Sequence, residues 1–164
     1  MKRISPESLD EADRRILDRL QRDGRASHAD LAEIAHLSAP QCFRRVKRLE
    51  EAQVIEGYGA RLSRIALGFS VVAFVSVTLG GGRSQDLEKF RQVVADIPEI
   101  LECHVVTGEA DFLLKVVAAD LRSFSDFLLS RLGEHFDSVT TRSEVSLEEV
   151  KAGSILPVVS AARG

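Results

Sequence analysis

Gln41, Arg44, Arg45 and Arg48 recur at i, i+3, i+4 and i+7. On a helix over residues 39–51 they share one face. Arginine can pair with guanine O6 and N7 in the DNA major groove, and glutamine can pair with adenine. Lys47 stands at the edge of that face and is placed for a phosphate. Ser27 and Ser38 fall at expected helix N-termini, where hydroxyls and backbone N–H groups hold phosphates. Arg44, Arg45, Lys47 and Arg48 stand together, with no acid between Glu33 and Glu50. Taken alone, such a cluster describes a solvated surface helix more often than a DNA reader. The surrounding elements must decide.

Asp10, with Asp13 three residues on, caps a helix carrying Ile16, Leu17 and Leu20 and stopped by Gly24. Ser27 with Asp30 opens a short second helix whose buried face would be Leu31, Ile34 and Ala35. Leu37 and Ser38 form a turn. Ser38 caps the third helix, with Pro40 in its first turn and Phe43, Val46 and Leu49 facing inward. A short capped helix, a tight turn and a basic helix make a helix-turn-helix unit. Residues 54–58 and 60–62 read as a two-stranded wing or an exit strand.

Beyond about residue 64 the period changes. Residues 69–79 form a Val- and Phe-rich strand, broken by Gly80-Gly81-Gly82. Ser84 caps a helix running to Ile97 before Pro98. Strands follow over 100–107 and 111–118, joined by a turn at Gly108-Glu109-Ala110. Residues 121–134 have helical spacing, and 138–147 form the last strand. The order, strand-helix-strand-strand-helix-strand, is ferredoxin-like, with both helices on one sheet face. Val72, Phe74 and Val77 cannot all point to those helices. A second subunit is expected to cover the other face.

Composition bounds the alternatives. The chain has 164 residues, 45% apolar and 29% charged, which describes a globular protein. Net charge is −3, but 13 Lys/Arg against 11 Asp/Glu lie in residues 1–64 and 9 against 14 lie beyond. No apolar run has the length of a membrane span, and the opening MKRISPESLDEADRR has no signal-peptide core. Cys42 and Cys103 read as reduced, packed residues of a cytoplasmic chain. His28, His36, His104 and His135 read as structural or surface residues. No nucleophile triad or metal cluster is spaced interpretably, and Gly80–Gly82 lacks the Lys and Ser/Thr of a phosphate loop. The expectation is no enzyme, no catalytic residue, no metal and no cofactor.

The stretch DEADRRILDRLQRDGRASHADLAEIAHLSAPQCFRRVKRLEEAQVIEGYGARL resembles the DNA-binding domain of the Lrp/AsnC family, the leucine- and asparagine-responsive transcription regulators. Residues 69–151 resemble that family's effector-binding and oligomerisation domain, most clearly in ECHVVTGEADFLLKV and EEVK. The resemblance implies an α+β chain. Its parts are a winged helix-turn-helix domain over 1–62, a linker over 63–69 and a ferredoxin-like βαββαβ domain with a C-terminal tail over 70–164. It implies a nucleoid-associated regulator of double-stranded DNA in a bacterial or archaeal cytoplasm. It also implies a homodimer, alone or assembled to a tetramer or octamer, with an amino acid bound between subunits. By the same resemblance the effector residues are Val105, Thr107, Gly108, Asp111, Leu121, Glu144, Val145 and Ser146. Gly108 and Asp111 also suit a plain hairpin turn. Leucine-responsive members carry an aromatic residue where this chain has Glu144. An acid there favours a cationic or polar ligand, or faces solvent. An architectural protein that coats DNA without a ligand is the alternative that shares the reading helix.

Overall fold

The computed structural model describes residues 8–80, 84–132, 139–151, 153 and 155–158. The chain divides into two compact units, Met1–Arg61 with Ala152–Gly164, and Leu62–Lys151. The expected boundaries shift accordingly. Residues 63–69 are a hydrogen-bonded turn of the second unit, with Leu67 N–H on the Ser63 carbonyl and Arg64 on the carbonyls of Phe69 and Ser70. The tail leaves the second unit for the first, because the Gln21 amide accepts from Leu156 N–H at 2.7 Å and donates to its carbonyl at 3.1 Å.

The first unit holds α1 (Glu11–Arg22), α2 (His28–Ala35) and α3 (Ala39–Glu51). Each begins where a side chain satisfies backbone donors that the helix leaves free. Asp10 and Asp13 form a reciprocal capping box on α1, and Ser27 and Asp30 form one on α2. Ile16, Leu31, Ala32, Ala35, Cys42, Val46 and Leu49 make the core. Two expected inner residues differ. Phe43 is 53% exposed and Ile34 39%. Cys42 and Ala32 take the buried places, because small side chains let three short helices approach closely. The wing is not formed. Residues 52–62 contain no strand. Instead Gln53 turns left-handed (φ 56°), and the N–H groups of Val54 and Ile55 return to the Leu49 carbonyl at the end of α3.

The second unit runs β1 (Val71–Leu79), α4 (Ser84–Ala95), β2 (Ile100–Val105), β3 (Phe112–Ala118), α5 (Leu121–Asp126) with a π-helical continuation over Phe127–Leu132, and β4 (Val139–Val145). The expected break at Gly81 and Gly82, the helix end beyond Leu132 and the strand start at Ser138 lie outside the described residues. The sheet is antiparallel in the order β2-β3-β1-β4. Alternation puts Val71, Ala73, Val75, Val77 and Leu79 in the core with Phe90, Phe112, Leu114, Val116, Phe124 and Leu132. Val77 therefore points to the core, while Val72 and Phe74 belong to the opposite face. That face is not simply apolar: register aligns Glu102, Lys115, Phe74 and Glu144 in one row and His104, Leu113, Ser76 and Arg142 in the next.

Candidate functional site

α2 and α3 meet at a left-handed His36 (φ 55°), whose N–H and that of Leu37 close the end of α2. The chain then enters α3 at Ser38. The Gln41 side-chain oxygen accepts from Ser38 N–H at 3.1 Å and from its hydroxyl at 3.0 Å. This holds the first turn of α3 and leaves the Gln41 amide nitrogen without a partner among the described residues. One turn on, Arg44 is exposed and has no partner among them either. Gln41, Arg44, Arg45 and Arg48 line one shallow cavity of about 330 Å³ with Leu37. Lys47 lies off that face and approaches Glu51 at 3.7 Å. Ser27 is committed to Asp30, which its hydroxyl and backbone N–H hold below the ordinary carboxylate range.

Arg45 and Arg48 differ from Arg44. Arg45 Nη1 donates to Asp10 Oδ2 at 2.6 Å and to Asp13 Oδ1 at 2.9 Å, and Arg48 Nη2 donates to Asp13 Oδ2. Asp13 is fully buried. The Asp13 backbone N–H, then Arg45, hold Asp10 below its usual range, and the Asp10 and Asp13 carboxylates raise Arg45. The Asp10–Asp13 spacing announces a helix cap. Its second role as counterion to the third helix is invisible until α1 and α3 pack. The role of Tyr58 is likewise set by packing, not by spacing along the chain. Its hydroxyl donates to Glu50 at 2.8 Å, and partial burial, followed by that bond, pushes it up to about 12. Cys42 is raised by burial, as suits a core thiol.

In the second unit the candidate effector residues form two groups. Gly108 has φ +115°, a conformation that favours glycine. Next to it, Asp111 accepts Leu79 N–H on Oδ2 at 2.8 Å, its own N–H donates to the Val77 carbonyl, and its carbonyl accepts from Val106. With exposed Val105 and Thr107 these residues sit at the Leu79 end of β1. At the other end, Ser146 N–H donates to the Val72 carbonyl and Val145 pairs with Ala73. Exposed Leu121 follows β3 there, since Ala118 pairs with Val71. Glu144 lies beside Phe74, with Arg142 at 3.5 Å. From Leu79 to Ala73 is about 20 Å of strand at ~3.4 Å per residue. One subunit does not bring the two groups together.

Residues 9–50 match the AsnC-type helix-turn-helix domain, and residues 72–156 match the Lrp/AsnC ligand binding domain. The chain belongs to the Lrp/AsnC family. It is 43% identical over 143 residues to the leucine-responsive regulatory protein of Rhizobium meliloti, covering 87% of this chain and 92% of that one. It is 39% identical over 150 residues to the protein of that name in Escherichia coli, covering 92% of each. A transcriptional regulator from Neisseria meningitidis, solved as a complex with L-Met, superposes with TM-score 0.86 at 35% identity, over 92% of this chain and 97% of that one. This Lrp/AsnC protein is thus a DNA-binding transcription regulator with a ligand-binding unit, and not an enzyme. No described helix is long and apolar enough to cross a membrane.

Proposed function

We propose that this Lrp/AsnC regulator reads double-stranded DNA with α3 and responds to a free amino acid bound between copies of its second unit. The single observation carrying the DNA half is the shared cavity of Gln41, Arg44, Arg45 and Arg48 on the outward face of a doubly capped helix-turn-helix. Gln41 and Arg44 keep donors free for base edges, which suits bidentate readout. We assign Lys47 to a phosphate, and Ser27 and Ser38 to phosphates only on releasing their bonds to Asp30 and Gln41.

The effector half rests on the ligand-binding domain match and on the neighbouring structure's complex with L-Met. Along the sheet, Val105, Thr107, Gly108 and Asp111 stand about 10 Å or more from Leu121, Glu144, Val145 and Ser146, since Val105 is level with Val77 and Glu144 with Phe74. A two-fold partner that reverses the strand direction sets one group against the other group of its mate. This supports a homodimer as the binding unit, assembling further in even numbers. Binding then shifts assembly only through unequal affinities for the assembly states. A chain with this role works in the cytoplasm, on the nucleoid.

Two measurements test the reading. Gel shift on duplexes selected from a random pool should show Arg44→Ala losing about 1–3 kcal/mol if it pairs with a base. A thermal-shift screen of the common amino acids should raise the melting point with at least one. Equal binding by Arg44→Ala would refute the reading helix. No stabilisation by any amino acid, with unchanged gel shifts, would favour the architectural alternative.

A further inference from the structure

We infer that Asp13, which lies on no DNA-facing surface, is a positioning residue for DNA reading: it aims the guanidiniums of Arg45 and Arg48 and, together with Asp10, removes their charge from the count that attracts DNA. This rests on the assignment of α3 as the reading helix. The observation is the juxtaposition of a fully buried carboxylate with two cations from another helix. An isolated carboxylate in a core of Ile16, Leu31, Cys42 and Leu49 would be strongly disfavoured. Here both oxygens are filled. Oδ1 takes Arg45 Nη1, and Oδ2 takes Arg48 Nη2 and the Asp10 N–H at 3.2 Å. Asp10 adds a second carboxylate to Arg45.

Two consequences follow. The first is electrostatic. Two carboxylates balance two guanidiniums, so the cluster is neutral. Lys47 lies near Glu51, and Arg44 is the cation of α3 with no carboxylate beside it among the described residues. The field of α3 is much weaker than its basic sequence suggests. The second is geometric. A guanidinium has five N–H donors in a fixed fork. Arg45 and Arg48 are anchored from the core side, and their side chains stay 28% and 47% exposed. The rotamer freedom that a surface arginine loses on binding is already lost here, which favours the matched site. Asp13 thus exchanges general attraction for aimed contacts.

The experiment compares the full-length chain with Asp13→Asn on two DNAs across a salt series. One is a duplex selected by the unmodified chain from a random pool. The other is poly(dI-dC). Asn keeps the shape, carries no charge and leaves one arginine without its anchor. Affinity for the selected duplex should fall about tenfold, the ratio given by 1.4 kcal/mol. Affinity for poly(dI-dC) should hold or rise, and its log–log salt slope should steepen by about 0.9 for each arginine set free to meet phosphate. A purely structural Asp13 would lower both affinities together with no steeper slope, and that result overturns the inference. Should Asp13→Asn not fold, Arg48→Lys tests the same point. It keeps the charge but not the fork, so selectivity should fall at an unchanged slope, and unchanged selectivity overturns the inference. Failure of the DNA assignment itself looks different: the unmodified chain would prefer no selected duplex over poly(dI-dC).

Discussion

Replacing Asp111 separates two jobs that its position allows. The carboxylate accepts the N–H of Leu79, the last residue of β1, at 2.8 Å, and Leu79 is 7% exposed. In Asp111→Ala that donor has no acceptor in a place water scarcely reaches. An unsatisfied buried donor costs about 1–3 kcal/mol. The Asp111 backbone bonds to Val77 and Val106 remain, so a loss of about 2 kcal/mol is expected. For a unit this size ~1 kcal/mol moves the melting point about 4–8 °C, so the second unit of Asp111→Ala should melt roughly 8–16 °C lower. Asp111→Asn keeps an acceptor oxygen and should lose less than half as much. Differential scanning calorimetry of the full chain and both variants, with and without the amino acid found by thermal shift, measures this. If Asp111→Ala melts with the unmodified chain but no longer responds to the amino acid, the bond to Leu79 contributes nothing. The carboxylate would then serve the ligand alone. If stability falls as computed and Asp111→Asn still responds, the residue ties the hairpin to β1 and the ligand is held by others.

Other outcomes are open to direct measurement. Tyr58 is the only tyrosine and the chain has no tryptophan, so its phenolate absorbance reports one residue. It should titrate near 12 rather than its ordinary 10.0, and Glu50→Gln should bring it down. Because the folded form keeps its proton longer, the stability linked to Tyr58 is whole below pH 10.0 and is lost as pH rises toward about 12. Gly108→Ala should destabilise the second unit by about 1–3 kcal/mol through backbone strain, since φ is +115° and nothing lies within 4 Å of an added Cβ. Urea unfolding with an unchanged slope and an unchanged midpoint would contradict that. Gln21→Ala should free the tail, raising amide exchange at Leu156 by about tenfold for two lost bonds of ~1 kcal/mol each, partly replaced by water. Exchange as slow as in the unmodified chain would mean that Gln21 does not hold it.

Much of the architecture was legible along the chain. Period and caps act between residues three or four apart, so Asp10 with Asp13 and Ser27 with Asp30 marked helix starts that the structure keeps. The Val- and Phe-rich run over residues 69–79 marked the central strand, which the structure forms over Val71–Leu79, because β-branched and aromatic side chains suit a pleated, packed surface. The spacing of Gln41, Arg44, Arg45 and Arg48 was enough to place them on one surface. Packing decided what spacing leaves open. Phe43 and Cys42 are neighbours, and which one enters the core depends on how closely α1 and α2 approach α3. Residues 54–62 carry strand-forming side chains but find no partner strand, and a strand needs one. Arg45 and Arg48 look like Arg44 in sequence, yet two carboxylates 32 to 35 residues away in the chain, Asp10 and Asp13, neutralise them. The candidate effector residues adjoin one sheet, but the length of β1 keeps their two groups apart. The sequence by itself determined the elements, their order and the basic face, since those follow from neighbours along the chain. Only the tertiary structure decided which charges on that face are free, because pairing across helices depends on distances that the chain order does not contain.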